Sequence, residues 1–422
     1  MWQRDERPWL GVGCASRPTP MVTAERATPS QPRCRAITRG ARPLKIAIVH
    51  YWLVDRRGGE RVVEALCELY PQADLFTNIY DPAPFARTLA RHRVRTTFVN
   101  RLPFARRMLE PYLPLMPLAL EQLDLRDYDL VISSESGPAK GVIVRPDAVH
   151  VCYCHSPMRY AWDLYPQYLA DAGVFRRMAM RPLMHYLRMW DQASAQRPDA
   201  IVANSEHTRR RIAKYWRRES TVIAPPVDTN RLAAARATVT PGDYYLCAGQ
   251  LVGYKRVDLA VEAFNRLGLP LVVAGTGPAL ASLQERARPN IKFIGWTADD
   301  ALARTIAGCK ALVFPGEEDF GIVPVEAMSA GRPVIAYGAG GALDSVVDGE
   351  TGLFFYDANP ESLANAVRTF EVERESFDSA RIAEHATSFD VGHFKARFAD
   401  FVRDHVAPPG MRETQPAVSA LA

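Results

Sequence analysis

Residues 309–355 place the strongest constraint on the fold, because they contain two consecutive strand–loop–helix units. The apolar run 311–314 ends at a Pro-Gly pair, which is typical of a fully buried strand. The sequence predicts a helix from Val323-Pro324 to Gly331, then strand 334–337 and a second helix after a glycine-rich loop. Two helix N-termini therefore meet at the carboxyl edge of a parallel sheet, where exposed N–H groups favour anions such as phosphate.

Two carboxylates lie within this segment, Glu318 in the first loop and Glu326 in the first turn of the helix that follows. Each has a structural explanation, because Glu326 would complement the helix dipole and Glu318 would be a solvated member of the acidic run 317–319. The functional alternative is that they accept hydrogen bonds from hydroxyl groups of a sugar or ribose, since carboxylates beside an anion site would repel the anion itself. Spacing alone leaves both explanations open.

The N-terminal half alternates short apolar segments with helical ones, which predicts an open and mostly parallel sheet. Its first unit is strand 45–50, a loop, and a helix that begins at Gly58-Gly59. The spaced glycine fingerprint of dinucleotide-binding dehydrogenases does not occur there. Further strands are predicted at 74–77, 129–133, 150–153, 200–203 and 221–223.

A chain of 422 residues is too long for one ordinary core, so two domains are expected. A second strand–helix series begins after a polar, alanine-rich segment, 229–241, which we interpret as the interdomain linker. The N-terminal domain is therefore placed at 44–235 and the C-terminal domain at 236–390. A closing helix at 391–408 is expected to pack back on the N-terminal domain, and 409–422 to form a frayed tail.

Charge and cysteine content narrow the class of protein. Residues 1–43 contain eight arginines and three acids, so this segment alone accounts for the net charge of +5. It lacks the apolar region of a secretory signal and is interpreted as a disordered basic tail, with a mitochondrial presequence as the alternative. Seven scattered cysteines predict reduced thiols in a cytoplasmic protein, and no apolar run is long enough to span a membrane.

Two basic, apolar-rich segments, 101–120 and 174–190, lie between the predicted strands. Residues 174–218 contain eleven Arg and Lys residues against three acids. Basic amphipathic helices of this kind bind the surface of anionic membranes, whereas the structural alternative is a core-facing apolar stripe with a solvated basic face. Both alternatives remain open. Nucleic acid is not expected as a partner, because no nucleic-acid-binding module accompanies the charge.

The sequence resembles a known family in the order and spacing of several motifs. EDFGIVPVEAMSAG, with Glu318 and Glu326, is similar to the E-x7-E signature of the family 4 retaining glycosyltransferases, and GRPVIA, AGTGP and QLVGYKRVDLAVEAF also match that family. HYWLVDRRGGERV and YCHSPMRYAWDLY resemble its bacterial mannosyltransferase branch, which builds polysaccharides on lipid carriers. The resemblance covers residues 45–405 and implies the GT-B fold, an α/β architecture with two Rossmann-like domains whose parallel sheets face a central cleft.

The resemblance also implies roles for individual residues. Lys255 would pair with the donor diphosphate, Glu326 would bind the ribose hydroxyls, and Glu318 would hold hydroxyls of the transferred sugar. Gly58-Gly59 would approach the diphosphate from the other domain, and His155 would lie near the sugar. The implied donor-binding residues are Gly58, Gly59, Gln250, Lys255, Arg256, Phe320, Gly321, Ile322, Val323 and Glu326, and the implied catalytic residues are Glu318, His155 and Lys255.

Gln250 departs from the family pattern, which usually has arginine five residues before the diphosphate-binding lysine. Loss of that bidentate cation removes roughly 1.5–3 kcal/mol of charge-assisted hydrogen bonding. Arg256 or another cation would replace the charge of the missing arginine. Otherwise the enzyme would be slower or would prefer a different donor.

The activity implied is retaining transfer of a hexose to a hydroxyl of a lipid-linked or polysaccharide acceptor, with mannose from GDP-mannose as the leading prediction. The enzyme would need no metal and no cofactor, and would work in the cytoplasm, peripherally on the inner face of the plasma membrane. The alternatives are another GT-B activity, such as a UDP-glucose-type transferase or synthase, and a weakly catalytic nucleotide-sugar-binding subunit.

Overall fold

The computed structural model describes residues 38–39 and 42–406. The tails predicted at 1–43 and 409–422 lie outside the described residues, apart from two short antiparallel strands, β1 (Thr38–Arg39) and β2 (Arg42–Pro43). The other described strands form two sheets in which every pairing is parallel. The predicted α/β class with two Rossmann-like domains is therefore confirmed.

The N-terminal sheet has seven strands in the order β5-β4-β3-β6-β7-β8-β9. They are β3 (Ile46–His50), β4 (Asp74–Thr77), β5 (Val94–Thr96), β6 (Leu130–Glu135), β7 (Val149–Cys154), β8 (Ala200–Ala203) and β9 (Thr221–Val222). The helices of this part of the chain are α1 (Gly58–Leu69), α2 (Met116–Glu121), α3 (Tyr165–Asp171), α4 (Val174–Ser194) and α5 (Glu206–Trp216). Only β5 was not predicted, because its three residues are merely half-buried and carry no apolar run.

The helix α6 (Thr229–Thr238) occupies the segment that was interpreted as the interdomain linker, so that interpretation is wrong. Leu232 and Ala235 are buried in the C-terminal core, and α6 packs against two later helices of that domain. Two apolar side chains suffice to anchor this helix, too few to give a periodic signal in an alanine-rich sequence.

The C-terminal sheet has six strands in the order β12-β11-β10-β13-β14-β15. They are β10 (Tyr245–Ala248), β11 (Leu271–Ala274), β12 (Ile291–Gly295), β13 (Leu312–Phe314), β14 (Val334–Tyr337) and β15 (Gly352–Phe355). The helices of this domain are α7 (Val257–Leu267), α8 (Leu280–Arg286), α9 (Asp299–Gly308), α10 (Ile322–Ser329), α11 (Ala342–Ser345), α12 (Pro360–Glu373) and α13 (Ser379–Ala386).

The last described helix, α14 (Val391–Val406), packs on the N-terminal sheet although it follows the C-terminal domain in sequence. Phe394, Phe398 and Val402 are buried in the same hydrophobic cluster as Tyr153 of β7. The chain thus crosses between the domains twice, before α6 and before α14. A parallel bridge between Val227 and Asp390 joins the two crossing segments.

The two basic segments fold differently from each other. Segment 101–120 is built from short 3-10 turns at Phe98–Arg101 and Glu110–Leu115 followed by α2, whereas 174–190 lies within the single helix α4. One stripe of α4 is buried, at Met180, Met184 and Leu187, so the core-facing explanation holds for that stripe. Other apolar residues of α4 are exposed. Among the described residues, no helix combines the length and apolar character needed to cross a membrane.

Candidate active site

Lys255 and Glu318 form an ion pair at the carboxyl edge of the C-terminal sheet. Lys255 ends the 3-10 turn Gly253–Lys255 between β10 and α7, and Glu318 lies in the loop between β13 and α10. Their Nζ and Oε1 atoms are 2.9 Å apart, and the side chains are 17% and 20% exposed. Burial opposes protonation of Lys255, but Glu318 more than offsets it and raises the pKa of the amine above its ordinary value. Lys255 is therefore held as a cation.

The loop that carries Glu318 ends at Gly321, the residue before α10. Its φ of +85° and the contact that a Cβ would make with Phe314, at 2.9 Å, require glycine. The first N–H groups of α10 have no partner within the helix and face the carboxyl edge. The loop before α11 lies against this one, because the Gly341 N–H donates to the Glu318 carbonyl oxygen at 2.8 Å. The two helix N-termini are neighbours, as the sequence predicts.

The N-terminal domain contacts the start of α10 through Gly58, the first residue of α1. A Cβ on Gly58 would lie 2.8 Å from Cδ1 of Ile322. A Cβ on Gly59 would lie 3.3 Å from Tyr51 Oη and 3.6 Å from His155 Nε2. The structure therefore brings Gly58, Gly59, His155 and Ile322 together, although they come from both domains.

His155 directly follows β7, and its ring is bound to buried polar groups of the neighbouring strands. Nε2 lies 2.8 Å from Ser134 Oγ of β6, which in turn lies 3.0 Å from His50 Nδ1 of β3. Burial, together with the neighbouring His50, lowers the pKa of His155 to about 3. The imidazole is therefore neutral at neutral pH and is suited to hydrogen bonding, not to charge pairing.

Glu326 lies in the second turn of α10, so the prediction that it occupies the first turn is wrong. Its Oε1 accepts a hydrogen bond from Arg61 of α1 at 2.6 Å and another from Arg231 of α6 at 3.1 Å. The Glu326 side chain is only 3% exposed. Two guanidinium groups, one of them from the opposite domain, therefore neutralise this carboxylate, and the helix dipole does not explain it.

Gln250 and Arg256 flank the turn that carries Lys255. Gln250 is exposed and lies two residues after the end of β10. The Arg256 guanidinium binds Asp258, with Nε and Nη2 each 3.1 Å from a carboxylate oxygen. This pairing weakens Arg256 as a replacement for an arginine at position 250. Arg256 also lines a cavity of about 660 Å³ between the domains, to which neither Lys255 nor Glu326 contributes.

Further contacts across the cleft hold the loop before α10, and sequence analysis missed them. Arg211 of α5 binds the Asp319 carboxylate, and Ser205 donates its hydroxyl to the Asp319 carbonyl oxygen. Arg159 donates to the Glu317 carbonyl oxygen at 3.3 Å. Ser205 is also the N-cap of α5, where its hydroxyl oxygen accepts a hydrogen bond from the Thr208 N–H. The position of Arg159 within the motif YCHSPMRYAWDLY could have identified it as a functional residue. No local sequence feature identifies Arg211 or Arg61 in the same way.

The described residues outside the candidate site provide neither a cluster of metal ligands nor a reactive thiol for it. Across residues 38–39 and 42–406, no cluster of three or more His, Cys, Asp or Glu side chains could hold a metal ion. Cys152 and Cys154 of β7 are buried free thiols, and burial raises the pKa of Cys152 to about 12. The sequence contains one Asp-x-Asp, ending at Asp129 just before β6, where Asp129 binds Arg145. That pair lies at the amino edge of its sheet, away from the candidate site.

Two protein-family models match successive parts of the chain. A model described as Glycosyltransferase Family 4 matches residues 56–231, and one described as Glycosyl transferases group 1 matches residues 230–387. The matched residues include the whole candidate site, from Gly58 to Glu326.

Curated relatives whose names state an activity match over shorter segments. The GDP-mannose-dependent alpha-(1-6)-phosphatidylinositol monomannoside mannosyltransferase of Mycobacterium tuberculosis is 30% identical over 206 residues, covering 42% of this chain and 54% of the relative. The O-antigen chain mannosyltransferase C of Escherichia coli is 31% identical over 157 residues, covering 33% of this chain and 41% of the relative. A glycogen synthase of Mycobacterium tuberculosis is 32% identical over 164 residues, covering 36% of this chain and 39% of the relative. The chain thus spans about half, or less, of the length of these relatives.

Solved structures match over most of the chain. Sucrose-phosphate synthase from Thermosynechococcus elongatus has a TM-score of 0.66 at 18% identity, covering 86% of this chain and 98% of that one. Anabaena HepE in complex with UDP has a TM-score of 0.64 at 18% identity, covering 85% of this chain and 99% of that one. At this identity the likeness concerns the fold, and it agrees with the two facing Rossmann-like domains described above. Together with the family models and the mannosyltransferase relatives, it shows that the chain belongs to the family 4 glycosyltransferases of GT-B fold.

Proposed function

We propose that this chain is a retaining hexosyltransferase that moves mannose from GDP-mannose to a hydroxyl of a lipid-linked or polysaccharide acceptor. The observation that carries the proposal is the arrangement around α10: the Lys255–Glu318 pair lies at its preceding loop, and Gly58 of the opposite domain touches its first residue, Ile322. The mannosyltransferases among the relatives favour mannose as the sugar.

The donor diphosphate fits the start of α10. Departure of a nucleoside diphosphate places negative charge on its phosphate oxygens, and Lys255 together with the N–H groups of residues 320–323 would stabilise that charge. One such preorganised donor accounts for a factor of about 10²–10³ in rate in other enzymes. Gly58 matters because the backbone of α1 already touches Ile322, so any side chain there would fill the space beside the phosphates.

The transferred sugar would lie beside Glu318 and His155. The glycosidic C1–O bond to the phosphate breaks while the acceptor oxygen forms its bond to C1 on the same face, and the acceptor proton passes to a phosphate oxygen. Glu318 accepts hydrogen bonds from sugar hydroxyls and does not act as a nucleophile, so the two-carboxylate scheme of glycosidases is not used. Because the charge of the leaving group is met by Lys255 and backbone N–H groups, no metal and no cofactor are part of the proposal.

Donor binding would exchange the ion pairs seen in this structure. Lys255 would turn from Glu318 to the diphosphate, and Glu318 would turn to the sugar. Glu326, now bound to Arg61 and Arg231, would accept the ribose hydroxyls and leave guanidinium groups free to face phosphate. These two arginines are therefore our candidates for the cation that Gln250 does not supply.

A lipid-linked acceptor is supported by an apolar and basic surface on the N-terminal domain. On α4, Phe175 is 89% exposed, Met178 is 65% exposed and Met189 is 57% exposed. Phe104, in the other basic segment, is 69% exposed, and an ion pair between Arg176 and Glu110 joins the two segments. Exposed aromatic and methionine side chains among arginines suit the interface of an anionic membrane. We propose this surface as the place of peripheral contact on the inner face of the plasma membrane.

Vesicle co-sedimentation tests the membrane contact. We expect the protein to pellet with vesicles containing anionic lipid, and the double variant Phe175→Ser/Met178→Ser to bind at least about tenfold more weakly, because two apolar side chains no longer insert. Val372→Ser on α12 removes an equally exposed apolar side chain, 84% exposed, from the C-terminal domain and should change nothing. Equal binding by both variants would refute the proposed surface.

A donor screen tests the reaction. We expect GDP-mannose to raise the thermal midpoint and to give more nucleoside diphosphate release than GDP-glucose, UDP-glucose or ADP-glucose, with release unaffected by EDTA. A preference for UDP-glucose or ADP-glucose would show that GDP-mannose is not the donor. It would favour the synthase-type alternative, which the glycogen synthase relative motivates. A thermal shift without release under every acceptor tried would favour a weakly catalytic subunit, which Gln250 motivates. No response to any nucleotide sugar would refute the proposal.

A further inference from the structure

Two serine–histidine pairs start from neighbouring positions of β6. Ser133 Oγ lies 2.9 Å from His150 Nε2, and Ser134 Oγ lies 2.8 Å from His155 Nε2. Both serines are fully buried, and successive residues of a strand point to opposite faces of a sheet. Only the second pair lies beside the candidate site, where a Cβ on Gly59 would be 3.6 Å from His155 Nε2.

The hydrogen bonds around Ser134 have one consistent direction. His50 Nδ1 lies 3.2 Å from the Ser134 carbonyl oxygen and 3.0 Å from its Oγ. A carbonyl oxygen only accepts, so His50 Nδ1 carries a proton and donates to both oxygens. The Ser134 hydroxyl then donates its own proton to His155 Nε2. A neutral imidazole has one N–H group, so the proton of His155 is on Nδ1.

We propose that Ser134 and His50 are positioning residues that hold His155 in the Nδ1–H tautomer during transfer. In this tautomer Nδ1 is the only donor of the ring, and Nε2 is an acceptor already occupied by Ser134. His155 then offers one hydrogen bond to an oxygen of the bound sugar or diphosphate, and it does not take a proton through Nε2. The consequence for transfer rests on the proposed function, whereas the tautomer does not.

The surroundings of His155 favour this neutral ring. The groups nearest the ring are Ser134 from β6, His50 from β3 with a ring centroid 6.4 Å away, and Tyr153 from β7 with a ring centroid 5.2 Å away. The Tyr51 hydroxyl lies beside Gly59, 3.3 Å from the position of a Cβ there, and Thr208 of α5 donates to the His155 backbone carbonyl oxygen. The carboxylate of Glu60 lies beyond His50, 3.6 Å from its Nε2. Burial and His50 lower the pKa of His155, which agrees with a ring that accepts at Nε2.

The tautomer can be measured on the full chain without any substrate. Long-range proton–nitrogen NMR spectra of protein labelled with ¹⁵N-histidine distinguish Nδ1–H, Nε2–H and imidazolium rings, and loss of one signal in His155→Gln assigns His155. We expect the Nδ1–H tautomer near neutral pH. An Nε2–H signal for His155 in the wild-type protein would overturn the proposal.

Substitution of Ser134 tests its role in the reaction. In Ser134→Ala we expect kcat to fall about tenfold with donor KM changed less than about twofold, because the ring is less well oriented while donor contacts remain. The acid limb of the pH–rate profile should move to higher pH, since the hydrogen bond that favours the neutral ring is lost. Ser134→Thr keeps the hydroxyl and should restore both properties.

Ser133→Ala is the matched control, because it removes the same group, equally buried, from the same strand and from a pair with histidine. It should leave kcat, the pH–rate profile and the His155 signal unchanged. If Ser134→Ala matches Ser133→Ala in both the spectrum and kcat, Ser134 does not position His155 and the proposal is wrong. If the wild-type protein turns over no nucleotide sugar, the proposed function fails, and the spectra still decide the tautomer.

Discussion

The two halves of the candidate site differ in how they manage charge. In the C-terminal half, Lys255, Glu318 and Glu326 are ionic groups in pairs, with side chains between 3% and 20% exposed. In the N-terminal half, His155 is a neutral ring bound to Ser134. A ligand that binds the first half must exchange partners with existing ion pairs, whereas the second half can accept a ligand as it stands.

This difference predicts which kinetic constants each half controls. Groups that meet the charge of the leaving diphosphate act mainly in the transition state, so their loss should lower kcat. A group that only holds the ribose binds substrate and transition state alike, so its loss should raise donor KM. The substitutions below therefore test whether the ionic half divides into these two kinds of residue.

The largest effect is expected for Glu318→Gln, because this carboxylate contacts Lys255 and would hold the sugar itself. We expect kcat to fall about 10³-fold, with the thermal midpoint of the free protein changed little because glutamine has the same size. Glu317→Gln is the control: its carboxylate is 46% exposed and faces His207 at 3.6 Å. Equal losses in the two variants would mean that the acidic loop acts through its charge and not through Glu318.

Lys255→Met should lower kcat about 10²-fold, because the leaving diphosphate loses its cation while the N–H groups of α10 remain. Arg256→Met removes a cation one residue away that is already paired with Asp258, and it should cost less than about threefold. Steady-state rates with saturating donor measure both. A larger loss for Arg256 would show that it, and not Lys255, faces the phosphates.

Glu326→Gln should raise donor KM about tenfold and change kcat less than about threefold, because a neutral acceptor binds ribose hydroxyls less strongly than a carboxylate does. Asp299→Asn is a useful comparison, since Asp299 lies 3.6 Å from the same Arg61 and Arg231 but is 46% exposed. Its effect should be smaller. A drop in kcat without a change in KM for Glu326→Gln would contradict the division proposed here.

The sequence predicted most of the sheet framework, for a physical reason. Buried parallel strands require continuous apolar runs, and such runs are visible at β3, β11 and β14. The start of α10 was also predictable, because proline and glycine mark its ends and few other residues fit there. The family resemblance then implied roles for Lys255, Glu318 and Glu326, whereas spacing alone left the purpose of the two glutamates open.

The contacts across the cleft were not predictable from local pattern. Arg61 and Glu326 are 265 positions apart, and Arg211 and Asp319 are 108 apart. An arginine on a helix surface looks the same whether it meets solvent or a partner domain. The His50–Ser134 contact is different, because these residues face each other in the β3–β6 register and can be found once the strand order is known.

The smallest effect is expected for a second buried imidazole of the N-terminal sheet, His150 of β7, which contacts Ser133 of β6 on the sheet face opposite to Ser134. Burial, with a contribution from Arg197, lowers the pKa of His150 to about 3, whereas an unfolded histidine has a pKa of about 6.5. Because the pKa of His150 is lower in the folded state, the unfolded chain binds a proton at this residue at pH values where the folded chain does not. This contribution to stability is complete above about pH 6.5 and is lost as the pH falls toward 3.

His150→Gln keeps a polar partner for Ser133 but cannot titrate. Between about pH 8 and pH 5.5 the variant should therefore lose about 1 kcal/mol less stability than the wild-type protein. Urea unfolding at the two pH values measures this difference, and His185→Gln, which removes an exposed histidine of α4, should follow the wild-type protein. If His150→Gln also follows the wild-type protein, the imidazoles around β6 are not held neutral by burial, and the contrast between the two halves loses its electrostatic basis.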